Sequence, residues 1–263
     1  MSGTVEVQQQ GGVACVTLRH PGKLNAMSRA MWRGLRCIFE SLQRASDVRC
    51  VLVRGEGSDF CAGGDIAEYP AFRFDESSLR DFHENDVWGA LQAMLDCDLP
   101  IVAQIEGNCM GAGVEIACCC DIRIAATSAR FGAPIARLGF PMAPREAALV
   151  LREAGALTAR EMLLQAAVLG AAEMKTRGFL NQVVADGAAA ETALATASQM
   201  AALAPQAARL NKRTLRALNQ APALWEKHYE AMDSIVVNAY RYADSAEHRE
   251  GIGAFMQKRK PVF

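Results

Sequence analysis

Residues 100–121 read Pro-Ile-Val-Ala-Gln-Ile-Glu-Gly-Asn-Cys-Met-Gly-Ala-Gly-Val-Glu-Ile-Ala-Cys-Cys-Cys-Asp, and this stretch constrains the fold more than any other. The apolar run 101–105 predicts a buried strand. Gly107, Gly111 and Gly113 then predict a tight loop, and an apolar helix follows with Glu115 in its first turn. Glycines allow backbone conformations closed to other residues and let a ligand approach bare amides. A helix N-terminus adds unpaired N–H groups and the positive end of a dipole, which favour negative charge. A carboxylate beside such donors, among apolar neighbours, marks a candidate active site.

The chain has 263 residues, enough for a large buried core. Its 28 basic and 29 acidic residues leave a net charge of −1, so bulk electrostatics point to neither nucleic acid nor an anionic membrane. No uninterrupted apolar run of about 18 residues occurs, which argues against a membrane span. The nine cysteines lack the paired short spacings of a zinc site, so no metal is expected; they read as reduced, mostly buried small hydrophobes. The first residues show neither a basic nor an apolar leader segment, and cytoplasm is the expected compartment.

Along the chain, residues 5–8 and 13–18 alternate about Gly11-Gly12 as a β-hairpin. Ser28 is a plausible cap for a helix over 31–42, and 49–53 forms a short strand. Gly55, Gly57, Gly63 and Gly64 make a second glycine loop, with Asp65-Ile66 at a helix start. Residues 72–80 are polar, show no apolar period and support no assigned element. Helices are predicted over 81–95, 145–154, 159–165 and 171–177, strands over 101–105, 122–125 and 182–184, and a loop with two prolines over 131–141. From about residue 188 the composition is helix-forming throughout. Short strands alternating with helices predict an α/β fold with parallel strands and helical crossovers.

Four segments, in order, carry a family resemblance. They are Leu24-Asn-Ala-Met27, Phe60-Cys-Ala-Gly-Gly-Asp-Ile66, Gly107-Asn-Cys-Met-Gly-Ala-Gly-Val-Glu-Ile-Ala117 with Cys120-Asp121, and the ending Glu250-Gly-Ile-Gly-Ala-Phe-Met-Gln-Lys-Arg-Lys-Pro-Val-Phe263. Together they resemble the crotonase superfamily of enoyl-CoA hydratases and isomerases, nearly end to end. The resemblance implies a spiral of repeated ββα units over residues 1–190 that binds acyl-CoA. It also implies a C-terminal helical region, 191–263, that assembles trimers or hexamers. No organic cofactor is implied, since coenzyme A is part of the substrate. By position, the N–H groups of Gly64 and Ala112 would hold the thioester oxygen, with Glu115 as acid/base and Ala62, Asp65, Ile66, Gly111 and Ile135 around the substrate.

One departure bears on the reaction. The hydratases use two glutamates around one water; the first falls on Glu115, but the second falls on Ile135, which can neither accept nor donate a proton. The resemblance therefore implies hydration or isomerisation of an enoyl-CoA with Glu115 as the single acid/base. Decarboxylation, thioester hydrolysis or acyl-CoA binding without catalysis stand as alternatives.

Other residues have plainer readings beside a functional one. Glu115 itself could be a first-turn acid that favours the helix dipole, a reading that its apolar flanks oppose. Asp65 reads as a loop-holding cap and Asp121 as a turn residue. The spacing of Gly107, Gly111 and Gly113 also matches dinucleotide-binding loops, but no acid to hold a ribose stands near residues 131–134. Arg137 and Arg145 flank the loop at Ile135 and could face a polar acyl group, or simply be solvated. His83 reads as a surface residue, while Lys258, Arg259 and Lys260 form a basic tail that could approach CoA phosphates. Trp225, Tyr229, Tyr240 and Phe255 are candidates for subunit contacts.

Overall fold

The alternation at the start of the chain does produce a hairpin: β1 (Thr4–Gln10) pairs antiparallel with β2 (Val13–Arg19) in continuous register from Thr4–Arg19 to Gln10–Val13. A computed structural model of the chain describes residues 2–219 and, beyond them, residues 246, 250, 257, 259 and 262. Trp225, Tyr229, Tyr240, Phe255, Lys258 and Lys260 lie outside the described residues.

Helix α1 (Arg29–Arg44) begins where Ser28 Oγ accepts the Met31 N–H at 3.2 Å, satisfying one of the free amides of the first turn. It buries Met31, Trp32, Leu35, Phe39 and Leu42, a stripe at helical spacing. β3 (Cys50–Gly55) follows and pairs in parallel with β2. After a 3₁₀ turn (Ile66–Ala71), α2 (Glu76–Asp81), a wider π-helical turn (Phe82–Val87) and α3 (Trp88–Asp96) run on without a break. The polar segment 72–80 thus contains a helix. Its start is set by a cap, Asp75 accepting the Ser78 N–H at 2.8 Å, rather than by an apolar period.

Next come β4 (Ile101–Ile105), β5 (Asn108–Met110), α4 (Ala112–Cys118), β6 (Ile122–Ala126) and β7 (Arg130–Gly132). A 3₁₀ turn (Pro134–Leu138) leads to α5 (Pro144–Ala154), α6 (Ala156–Leu164), β8 (Val168–Gly170), α7 (Ala171–Thr176), β9 (Gln182–Val184), α8 (Ala189–Ala201) and α9 (Pro205–Asn219). Six strands form one sheet in the order β1-β2-β3-β4-β6-β9, parallel from β2 onward, as the alternation of short strands and helices predicts. The expected loops at 107–111 and 131–141 hold two strands too short for a periodic signal. β5 and β7 pair in parallel, and β8 adds antiparallel to form a second, three-stranded sheet.

The repeat is visible in this arrangement. β4 leads to β5 and then α4; β6 leads to β7 and then a helical turn. β3 leads to Cys61, bridged to Cys109 of β5, and then to the 3₁₀ turn. Each turn of the chain therefore adds a strand to the large sheet and a short segment to the small one. Nearly all the apolar side chains of this spiral join one core.

A smaller core lies on the other face of the large sheet, where Ala193 and Ala197 of α8 pack on Val13, Cys15, Leu52, Val102 and Ile124. Alanines at that spacing let the helix sit close to the strands. Helix α9 buries no side chain fully and is tied down by polar contacts. Lys212 Nζ lies 2.8 Å from Asp121, and Arg216 lies 2.7 Å from Asp98. Asp121 also accepts the Ile101 N–H at 2.7 Å, so it holds the start of β4 as well as a turn. Among the described residues no helix is long and apolar enough to cross a membrane. All nine cysteines are unpaired, and only Cys37 is exposed.

Candidate active site

The two glycine loops meet because a third segment splices onto the first. Ala62 N–H donates to Leu24 O at 2.9 Å, Met27 N–H to Gly63 O at 2.8 Å, and Asp65 N–H to Met27 O at 2.9 Å. Residues 24–27 can do this because Leu24 and Asn25 both take positive φ, 46° and 59°. The buried Asn25 side chain holds that turn. It accepts the His20 N–H at 3.1 Å and donates to Glu56 O and Asp59 O at 2.9 and 2.7 Å.

The second loop packs backbone to backbone against the first. Met110 N–H donates to Cys61 O at 2.9 Å, and Gly111, at φ +47°, enters α4 directly beneath it. A Cβ at Gly113 would come within 2.7 Å of the Cys61 carbonyl, and one at Gly64 would overlap the Tyr69 hydroxyl. At position 113 the clash is with backbone, so this approach requires glycine there.

A cavity of about 320 Å³ opens where the loops meet. Ala62, Gly64, Ile66, Gly111, Ala112, Glu115 and Ile135 all line it. Asp65 does not: its carboxylate turns back to accept the Ala67 N–H at 3.2 Å and pairs with Lys23 at 2.6 Å, capping the 3₁₀ turn. Among the described residues no backbone carbonyl accepts from the N–H of Gly64 or Ala112. The first residue of a helix has no intrahelical acceptor, which explains Ala112.

Glu115 is buried, and its carboxyl makes no side-chain hydrogen bond among the described residues. Loss of water around it, with a further contribution from the charge of Glu146, pushes its pKa up to about 8 from the ordinary carboxylate value of 4.5. At neutral pH it is mostly the uncharged acid, and the ionised form is an unusually strong base.

Glu146 was not legible in the sequence, where it reads as an ordinary acid in the first turn of α5. It is almost completely buried, and its Oε1 lies 3.1 Å from His83 Nδ1. His83 is not a surface residue; the π-helical turn aims it into the cavity, together with Phe82 and Val87. This turn is anchored by the buried Asp86, which holds Arg29 and Arg33 at 2.6 and 2.7 Å. Tyr69, Arg73 and Phe140 complete this wall, and nothing in the sequence pattern singles them out.

The two candidate arginines divide. Arg137 lines the cavity and donates to Ala166 O at 3.0 Å, whereas Arg145 pairs with Glu84 at 3.2 Å and does not line it. Arg259 of the basic tail binds Glu250 at 2.6 Å.

Set beside known proteins, residues 8–263 match the family profile described as enoyl-CoA hydratase/isomerase. The crystal structure of an enoyl-CoA hydratase/carnithine racemase from Magnetospirillum magneticum is similar at TM-score 0.91 and 35% identity, covering 100% of this chain and 96% of that one. The 2,3-dehydroadipyl-CoA hydratase of Escherichia coli K12 is 30% identical over 257 residues, 98% of this chain and 97% of the relative. A short-chain-enoyl-CoA hydratase of Clostridium acetobutylicum is 29% identical over 258 residues, 97% and 95% of the two chains.

Proposed function

The chain belongs to the enoyl-CoA hydratase/isomerase family, and from that premise we propose that it hydrates or isomerises an enoyl-CoA in the cavity between its two glycine loops. The observation that carries this reading is the juxtaposition of the unpartnered, buried Glu115 carboxyl with the free N–H groups of Gly64 and Ala112. Those amides donate to the thioester oxygen. As charge builds on that oxygen in the enolate, their hydrogen bonds strengthen, and preorganised donors of this kind are each worth about 3 kcal/mol in the transition state.

In hydration, ionised Glu115 takes a proton from water while the water oxygen bonds to the β-carbon. The electron pair of the double bond moves through the α-carbon to the thioester oxygen. A proton delivered to the α-carbon then restores the carbonyl. In isomerisation the same carboxylate removes a proton from one carbon of the allyl system, and the proton returns at the other end. Both routes begin from the ionised form of Glu115.

A second acid/base group is supported by the His83–Glu146 pair. Ile135 supplies no proton, but Glu146 holds His83 at Nδ1, and the imidazole sits on the cavity wall with Nε2 3.4 Å from the Arg73 guanidinium. His83 then takes the role that the second glutamate has in other hydratases, with Glu146 as its positioning residue. The C-terminal region, residues 191–263, provides the trimer or hexamer contacts in this reading, which light scattering of the purified protein checks.

Loss of the conjugated thioester absorbance of crotonyl-CoA, with identification of the product, tests the reaction. Formation of 3-hydroxybutyryl-CoA supports hydration. Absence of turnover with crotonyl-CoA, with 3-enoyl-CoA thioesters and with 2-enoyl-CoA thioesters that carry a terminal carboxylate, despite tight thioester binding, removes both reactions and leaves a decarboxylase, a hydrolase or a binding protein.

A further inference from the structure

The cavity wall opposite the glycine loops carries a cation with no carboxylate to balance it. The Arg73 guanidinium carbon lies over the Phe140 ring, 3.5 Å from its centroid, and 4.6 Å from that of Tyr69. Its side-chain hydrogen-bond contact is His83 Nε2 at 3.4 Å, and among the described residues it forms no ion pair. Several other buried or half-buried arginines are ion-paired, Arg29 with Asp86, Arg123 with Glu153 and Arg216 with Asp98, while Arg54 and Arg209 donate instead to Thr17 and to the Ala45 carbonyl; Arg73 differs from both groups in lying on the cavity wall.

A guanidinium stays charged in any protein, so partial burial between two rings without an anion is unfavourable unless something completes the site. Here burial pulls its pKa down, and no carboxylate opposes that. The carboxyl that shares the cavity, Glu115, is mostly uncharged at neutral pH. Glu146 is engaged behind His83. A guanidinium carries N–H donors that can make two parallel hydrogen bonds, the pattern that suits a carboxylate.

Its position also limits the ligand. The Tyr69 hydroxyl stands over Gly64, and the Tyr69 ring contacts Arg73, so one tyrosine side chain separates the guanidinium from the amide that receives the thioester oxygen.

We propose that Arg73 is the receptor for a carboxylate at the far end of a short acyl chain, so that the enzyme acts on dicarboxylic rather than simple aliphatic acyl-CoA thioesters. This rests on the acyl-CoA reading above and adds to it the substrate class.

Calorimetric titration of the full-length protein with non-reacting saturated thioesters tests it separately from catalysis. Succinyl-CoA and glutaryl-CoA are expected to bind roughly ten- to a hundredfold more tightly than butyryl-CoA and pentanoyl-CoA, the gain of one desolvated charge-assisted pair. In Arg73→Gln that ratio falls to about 1, while Arg73→Lys retains part of it because charge remains without the bidentate fork. Equal or weaker binding of the dicarboxylic thioesters to the wild type overturns the proposal, whatever the variants do. So does a preference that survives Arg73→Gln and disappears in Arg137→Gln, which would place the receptor on the other cavity arginine. Failure of all four thioesters to bind instead overturns the acyl-CoA reading itself.

Discussion

His83 Nδ1 lies 3.1 Å from the buried Glu146 carboxylate, a contact between a π-helical turn and the first turn of α5 that are 63 residues apart in the chain. It supplies a titratable pair on the cavity wall of a protein whose expected second acid is Ile135. If the pair moves a proton, His83→Asn lowers kcat by about ten- to a thousandfold. Glu146→Gln should reduce kcat less, because the imidazole remains and only its orienting partner is lost. Unaltered kcat in both variants, with circular dichroism unchanged, would sink the assignment.

Glu115→Gln keeps the shape of the side chain and removes its proton chemistry. Hydration or isomerisation is expected to fall about 10²- to 10⁴-fold with little change in thioester affinity. A variant that keeps wild-type turnover would show that Glu115 is not the base.

The same substitution has a signed effect on stability. The folded pKa of Glu115, about 8, lies above its ordinary value of 4.5. Its stability contribution is therefore fully present below about 4.5 and lost progressively as pH rises through about 8. Glu115→Gln carries no such loss. Its melting temperature should match the wild type near the acid end and exceed it increasingly toward the alkaline end, by the equivalent of roughly 2–4 kcal/mol.

Activity should run the opposite way with pH. Both proposed reactions start from the carboxylate, so kcat/KM is expected to climb by about tenfold per pH unit below the Glu115 pKa and level off above it. A profile that falls over this range would assign Glu115 as the initial acid instead.

Asn25 carries the splice that aligns the two loops. Asn25→Ala removes three hydrogen bonds from a buried site and leaves a residue at φ 59° that no longer has local bonds to hold it there. The expected cost is about 2–4 kcal/mol, measured by denaturant titration, with a loss of kcat/KM beyond that stability change because the Gly64 amide is displaced.

Much of this molecule follows from local sequence. Strong periods and punctuation placed the hairpin, α1, β4, β6 and β9. Gly64, Gly111 and Glu115, which glycine spacing and a helix start single out in the sequence, line one cavity. Those signals are local because a strand's alternation, a helix's apolar stripe and a glycine's φ are each decided within a few residues. The resemblance of four segments in order extended them to the whole spiral.

The sequence by itself thus determined the α/β class, the family and the buried carboxyl beside two bare amides. Only the tertiary structure decided what faces that carboxyl. Glu146, His83, Arg73 and Tyr69 sit on helices and turns where such residues are ordinarily solvated, and no period distinguishes them. Their chemistry comes from being folded onto one cavity from segments as far apart as residues 69 and 146, where loss of water and the nearness of another charge set how each group behaves.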